Sequence, residues 1–195
     1  MFGGKRMVKK KVIRRLSSAT NKNDNKDDFR EVKATMKLIH EKDLPEMLRK
    51  KFFLFTPKIK SVEFFYLPCW SVVLKYYISY FNAYHMDRGN VEFIVDPIKG
   101  CGFNEGKLEL KFTKRMICKD IINEKGLSKE QAEKKAIIDA RWKVLLSKYK
   151  RPPELEIVSA FEFFRPYYKV NTIWGNYEEI QWIPADDFAN YFVYN

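Results

Sequence analysis

FYLPCWSV (residues 65–72) and FFRPYYKV (residues 163–170) read as one stretch written twice. A shift of 98 residues pairs Phe65 with Phe163, Tyr66 with Phe164, Pro68 with Pro166, Trp70 with Tyr168 and Val72 with Val170. Each copy is an aromatic strand interrupted by a proline. Proline has no N–H to give a sheet ladder, so it marks an edge, a bulge or a bend. Each copy also follows a helix-like segment and precedes a second strand that closes in an acidic turn, FIVDPIKG (93–100) and then QWIPADD (181–187).

Before the first copy, residues 30–39 alternate, with Val32, Ala34, Met36 and Leu38 on one side and Lys33, Thr35 and Lys37 on the other. Period two favours a strand with one wet face, with a helix starting at Asp28 as the alternative. Asp43 and Glu46 have the spacing of a capping box, and Pro45 falls in a first helical turn, where its missing N–H does no harm. After the copy, Asp87-Arg88-Gly89-Asn90 is a turn signal and residues 91–95 return as a hairpin strand.

The second half begins with a predicted loop at 102–106. A clean alternation follows at 107–113, with Leu108, Leu110 and Phe112 against Lys107, Glu109 and Lys111. Residues 116–123 are read as a short helix. Residues 128–148 form the strongest helix signal: Ser128 caps it, Gln131 completes a capping box, and Ala132, Ala136, Ile137, Ala140, Val144 and Leu145 make one stripe. Strands at 155–164 and 167–174 flank Pro166, Gly175-Asn176 makes a two-residue hairpin turn, and 177–183 return. Residues 188–194 are a short aromatic tail.

The order strand, helix, bent strand, hairpin partner therefore occurs twice. It predicts an α+β protein with antiparallel sheets each packed by a helix, in two related halves: residues 29–104 and 105–195, preceded by a basic arm and linker at 1–28. With its Ala-containing helix SKEQAEKKAI before a hairpin and the turn Val95-Asp96-Pro97-Ile98-Lys99-Gly100, this order resembles the small PepSY-like modules of bacterial proteins. Tyr66-Leu67-Pro68-Cys69-Trp70 is similar to their Tyr-x-Pro-aromatic strands, whereas Ile183-Pro184-Ala185-Asp186 lacks the glycine of the turn. The resemblance implies a binding or inhibitory module and carries over no catalytic residue.

Charge is unevenly placed. Of a net +12, residues 1–60 hold 18 Lys/Arg against 7 Asp/Glu, and residues 61–195 hold 19 against 18. Lys5, Arg6, Lys9, Lys10, Lys11, Arg14 and Arg15 precede the first acid, Asp24. Such an arm is attracted to polyanions, either nucleic acid or an anionic membrane face, or it only solubilises. Met7, Val8, Val12, Ile13 and Leu16 lie among these basic residues, as lipid binding would need. Three cysteines without paired spacing fit reduced thiols inside a cell. The longest apolar run, 64–74, is too short to span a membrane. A cytoplasmic protein, at most peripheral to the membrane, is the expectation.

Groups able to do chemistry are sparse. His40 and His85 are the only histidines. A pair of His85 and Asp87 orienting Cys101 has no local motif behind it. Cys69, Cys101 and Cys118 with the two histidines lack the spacing of a zinc site. Asp186, Asp187 and Glu178 or Glu179 lack a cation-loop signature. Neither Gly3-Gly4 nor Gly100-Cys101-Gly102 is a phosphate loop. No cofactor, metal or small-molecule substrate is expected. The expected function is a non-enzymatic binding or accessory module that recognises a protein partner through an aromatic-rich sheet, with Trp70, Tyr168, Trp174 and Trp182 as candidate contacts. The alternative is nucleic-acid or anionic-membrane binding through the arm.

Overall fold

A computed structural model describes residues 28–35, 39–51, 57–79, 86–104, 112–145, 152–186 and 193–194. Its spine is an antiparallel pair of long strands, β2 (Lys58–Ser79) and β6 (Glu154–Trp174). The two aromatic stretches are each other's partners in it: Tyr66 faces Pro166, Leu67 faces Arg165 and Pro68 faces Phe164. The ladder is symmetric about Leu67 and Arg165. One extra residue, Lys60, bulges from β2 and one, Val158, from β6, and the two bulges stand 98 residues apart. A bulge bends its strand and strengthens the local twist, so the spine curves at both ends.

The remaining strands extend this pair: β1 (Phe29–Thr35), β3 (Met86–Asp96), β4 (Gly100–Asn104), β5 (Phe112–Cys118), β7 (Tyr177–Pro184) and β8 (Val193–Tyr194). The sheet runs β5-β1-β6-β2-β3-β4-β8, and β7 also pairs with β6. It is mixed, because β1 meets β6 in parallel at Ala34 and Phe164. Two short helices, α1 (Leu44–Lys51) and α2 (Lys129–Asp139), lie on the sheet face that carries Phe64, Tyr66, Trp70 and Val72. Leu44 and Leu48 of α1 pack on Tyr168, Val170 and Ile183. Ala132 and Ala136 of α2 pack on Val72, Leu74 and Val95, and small side chains at that spacing let the helix sit close.

The expected α+β architecture, with antiparallel sheets each packed by a helix in two related halves, is thereby corrected. The described residues form one mixed, sheet-dominated structure. Sequence periodicity marks each aromatic stretch as a strand but does not say which strand it bonds to. Here the longest ladder joins the two stretches, so neither has a sheet of its own.

Pro68 and Pro166 sit inside central strands, each at a change of neighbour. On the outer side of β2, Tyr66 meets Ile122 and Asn123, and β3 begins only at Trp70. On the outer side of β6, β1 meets Phe164 and β7 begins at Tyr167. A proline falls between two partners in both strands, where a missing N–H disrupts the ladder least.

Other expectations also change. Asp87-Arg88-Gly89-Asn90 is strand within β3, not turn; Gly89 is needed because a Cβ there would come 2.8 Å from the Tyr76 hydroxyl. Residues 102–104 belong to β4 rather than to a loop. Residues 116–118 finish β5, and only a single 3-10 turn (Lys119–Ile121) follows in place of a helix. The capping box of Ser128 and Gln131 forms, but α2 is regular only to Asp139 and then widens into a π turn, Ala140–Leu145. Gly175 takes the left-handed φ of +58° that the two-residue hairpin turn requires. The alternation at 107–111, the remainder of the long helix and most of the aromatic tail lie outside the described residues.

Candidate functional site

Arg165 stands in the apolar run FFRPYY at the centre of the spine and is fully buried. A buried guanidinium demands partners, because an uncompensated interior charge is very costly. Both acidic turns supply them. β3 ends in Asp96, and its Oδ2 accepts from the Arg165 Nη1 at 2.9 Å. β7 leads into Asp186, whose Oδ2 accepts from Nε at 3.0 Å and whose Oδ1 accepts from Nη2 at 2.8 Å, a bidentate grip. The Tyr167 hydroxyl donates to the same Asp96 oxygen as Nη1. The other oxygen of Asp96 accepts from the backbone N–H groups of Ile98 and Lys99, which fixes the turn. Cys69 lies opposite Phe163 in the ladder and beside this cluster.

One cation faces two carboxylates here. Burial pushes the Asp186 carboxyl above the usual aspartate range, against the pull of Arg165. Burial, with the Asp96 charge next, also raises the Tyr167 hydroxyl and the Cys69 thiol. Tyr167 therefore stays a proton donor and Cys69 stays a thiol, which makes Cys69 a poor nucleophile. All members of the cluster are sealed from solvent. Its chemistry is that of a clasp joining the ends of β3 and β7 through the middle of β6.

The four aromatics expected at a binding surface are not brought together. Trp70 is half-buried and donates from Nε1 to the Leu127 carbonyl at 2.8 Å, which anchors the entry to α2. Tyr168 is buried under α1, and its hydroxyl donates to the Ile39 carbonyl. Trp182 is half-buried between Phe65 and Tyr167. Trp174 is 42% exposed. Lys5, Arg6, Lys9, Lys10, Lys11, Arg14 and Arg15 lie outside the described residues, as do His85 and Asp187. Cys101 is buried in the core beside Val95 and α2. Asp186, considered for a cation, is engaged by Arg165.

Trp174 gathers different neighbours at the end of the β6–β7 hairpin. Directly across the turn and on the same face lies Tyr177, 79% exposed, while Ile180, 56% exposed, is on the opposite face of β7. The sequence marks 177–183 only as a returning strand, and neither Tyr177 nor Ile180, which alternates with Glu179 and Gln181 as in any strand, stands out there. Among the described residues β7 pairs only with β6, so its other side is a sheet edge. In a hairpin closed by a two-residue turn, the flanking pair exchanges both hydrogen bonds and the pattern then alternates. Tyr177, Glu179 and Gln181 consequently bond to β6, and the backbone groups of Glu178, Ile180 and Trp182 point outward.

Elsewhere, a cleft of about 570 Å³ beside the π turn is lined by Arg141, Trp142, Pro152, Pro153 and Glu154, without a nucleophile or histidine among them. Among the described residues no three His, Cys, Asp or Glu are grouped to hold a metal, and no helix is long and apolar enough to cross a membrane. No protein-family model matches the chain, no curated protein matches it, and no solved structure matches it.

Proposed function

We propose that the protein is a non-enzymatic binding module that recognises a protein partner through the outer end of the β6–β7 hairpin. The observation that carries this reading is the exposed cross-strand pair Trp174 and Tyr177 on one face of the hairpin end, with exposed Ile180 on the opposite face of the edge strand β7. Large apolar side chains beside an open row of backbone donors and acceptors suit an extended segment added to the sheet, where main-chain bonds give affinity and alternate side chains give selectivity. The buried clasp supports the same reading: Asp186, just beyond the far end of β7, is bonded to Arg165, and a strand held in place before binding loses less entropy on binding.

Selection of a random-peptide display library on the full-length protein tests this. Enriched peptides should lose at least about ten-fold in affinity for Tyr177→Ala/Ile180→Ser. They should keep their affinity for a variant at the exposed Lys134 of α2. A library that enriches nothing, or peptides indifferent to the hairpin substitutions, would sink the reading.

The charge distribution favours a second role. With Lys5, Arg6, Lys9, Lys10, Lys11, Arg14 and Arg15 all ahead of the first acid, the N-terminal arm is suited to nucleic acid or an anionic membrane surface. Affinity for DNA that falls steeply with salt, through release of counterions, is the expected signature. Charged substitutions at Val12 and Ile13 would abolish lipid binding and spare DNA binding.

A further inference from the structure

Two open strands of this sheet carry opposite charge. Among the described residues β7 pairs only with β6, and β5 only with β1. β7 presents Tyr177-Glu178-Glu179-Ile180, an acidic island on a chain of net charge +12. β5 presents Thr113-Lys114-Arg115-Met116, with Met116 62% exposed. The local pairs already formed, Glu178 with Lys60 and Lys114 with Glu31, lie at the surface and are readily exchanged.

We propose that β7 of one molecule pairs with β5 of a second copy, which rests on the reading of β7 as an open docking strand. Charge selects this combination. Two β7 edges would set Glu178 and Glu179 against their own copies, two β5 edges would set Lys114 and Arg115 against theirs, and only the mixed pair joins opposite signs. Like charges directly across a ladder destabilise it, and opposite charges support it. An antiparallel register with Glu178 beside Lys114 also sets Tyr177 beside Arg115 and Ile180 beside Phe112, each pair on one face of the extended sheet. On the β7 side, the outward backbone groups of Glu178 and Ile180 are the ones offered to this ladder.

Sedimentation of the full-length chain at low and high salt tests the proposal, with Glu178→Lys/Glu179→Lys and Lys114→Glu/Arg115→Glu studied alone and mixed. Self-association that weakens with salt, is reduced at least about ten-fold in either reversed variant, and returns when the two are mixed is the expected result. Mixing is decisive, because it restores opposite charge at both kinds of contact. Ile180→Pro removes an outward N–H without touching the bonds to β6 and should also abolish association. A chain that stays monomeric at every concentration, or an assembly insensitive to the reversals, overturns the proposal. A monomeric chain whose hairpin still enriches peptides would reject the second copy as occupant and keep the docking strand.

Discussion

Asp96 and Asp186, ninety residues apart, accept hydrogen bonds from the same buried guanidinium, that of Arg165. The two hairpins β2–β3 and β6–β7 are thereby tied together at their far ends, beside the point about which the central ladder is symmetric. Leu67 occupies the position opposite Arg165, so the clasp needs one cation only.

Removing that cation should be worse than removing the whole clasp. Arg165→Met leaves two carboxylates facing each other in the interior, and breaking a buried ion pair from one side costs about 3–5 kcal/mol. Arg165→Met/Asp96→Asn/Asp186→Asn should recover a substantial part of that loss, since the stranded charges are gone. Urea unfolding of the three proteins measures this. A triple variant no more stable than Arg165→Met would show that the network's shape matters more than its charge.

The pH dependence has a definite sign. Burial raises the Asp186 carboxyl above its ordinary value of 3.8. The folded state then binds a proton more tightly than the unfolded state, so this group's contribution is most favourable at low pH. It declines as pH rises from about 3.8 through the raised folded value, and it is constant above that. The exposed carboxylates Glu130 and Glu178 are shifted down by hydrogen bonds and act in the opposite direction. Asp186→Asn keeps those and loses only the first effect. The stability of the wild type relative to Asp186→Asn should therefore fall with increasing pH, as read by unfolding curves from about pH 4 to 7. A difference that rises with pH would mean that the attraction of Arg165 outweighs burial.

Much of the element order was legible in the sequence, and so were both halves of the clasp, though not their meeting. The acidic turns at Asp96 and Asp186 are plain in the sequence, as is an arginine amid aromatics. Only the β2–β6 register brings them within hydrogen-bond distance, and register over strands of 22 and 21 residues is not encoded in period-two alternation. Gly89 misled for a related reason. Glycine beside Asn and Asp signals a turn, but here it makes room for the Tyr76 ring on the next strand. Of the aromatics singled out, Trp70 and Tyr168 are aligned by the 98-residue shift because both pack under helices, which is core geometry and not a binding pattern.

Thiol reactivity separates the three cysteines. Cys69 and Cys101 are buried, and burial raises the Cys69 thiol further, while Cys118 is half-buried at the end of β5. A disulfide reagent at neutral pH should modify Cys118 in the folded protein and reach Cys69 and Cys101 only on unfolding. Rapid modification of Cys69 without loss of structure would contradict the sealed clasp.

Trp70 and Trp174 resemble each other in sequence and should behave oppositely on truncation. The Trp70 indole packs against the core under α2 and its N–H holds the Leu127 carbonyl, so Trp70→Ala should cost about 3–5 kcal/mol by opening a cavity and orphaning that carbonyl. Trp174 ends β6 at the turn with much of its ring in solvent, and Trp174→Ala should shift stability by roughly 1 kcal/mol or less. If the hairpin end is the docking surface, Trp174→Ala will weaken peptide binding while the melting temperature barely moves. An unfolded Trp174→Ala protein would place that ring in the core and remove it from the binding surface.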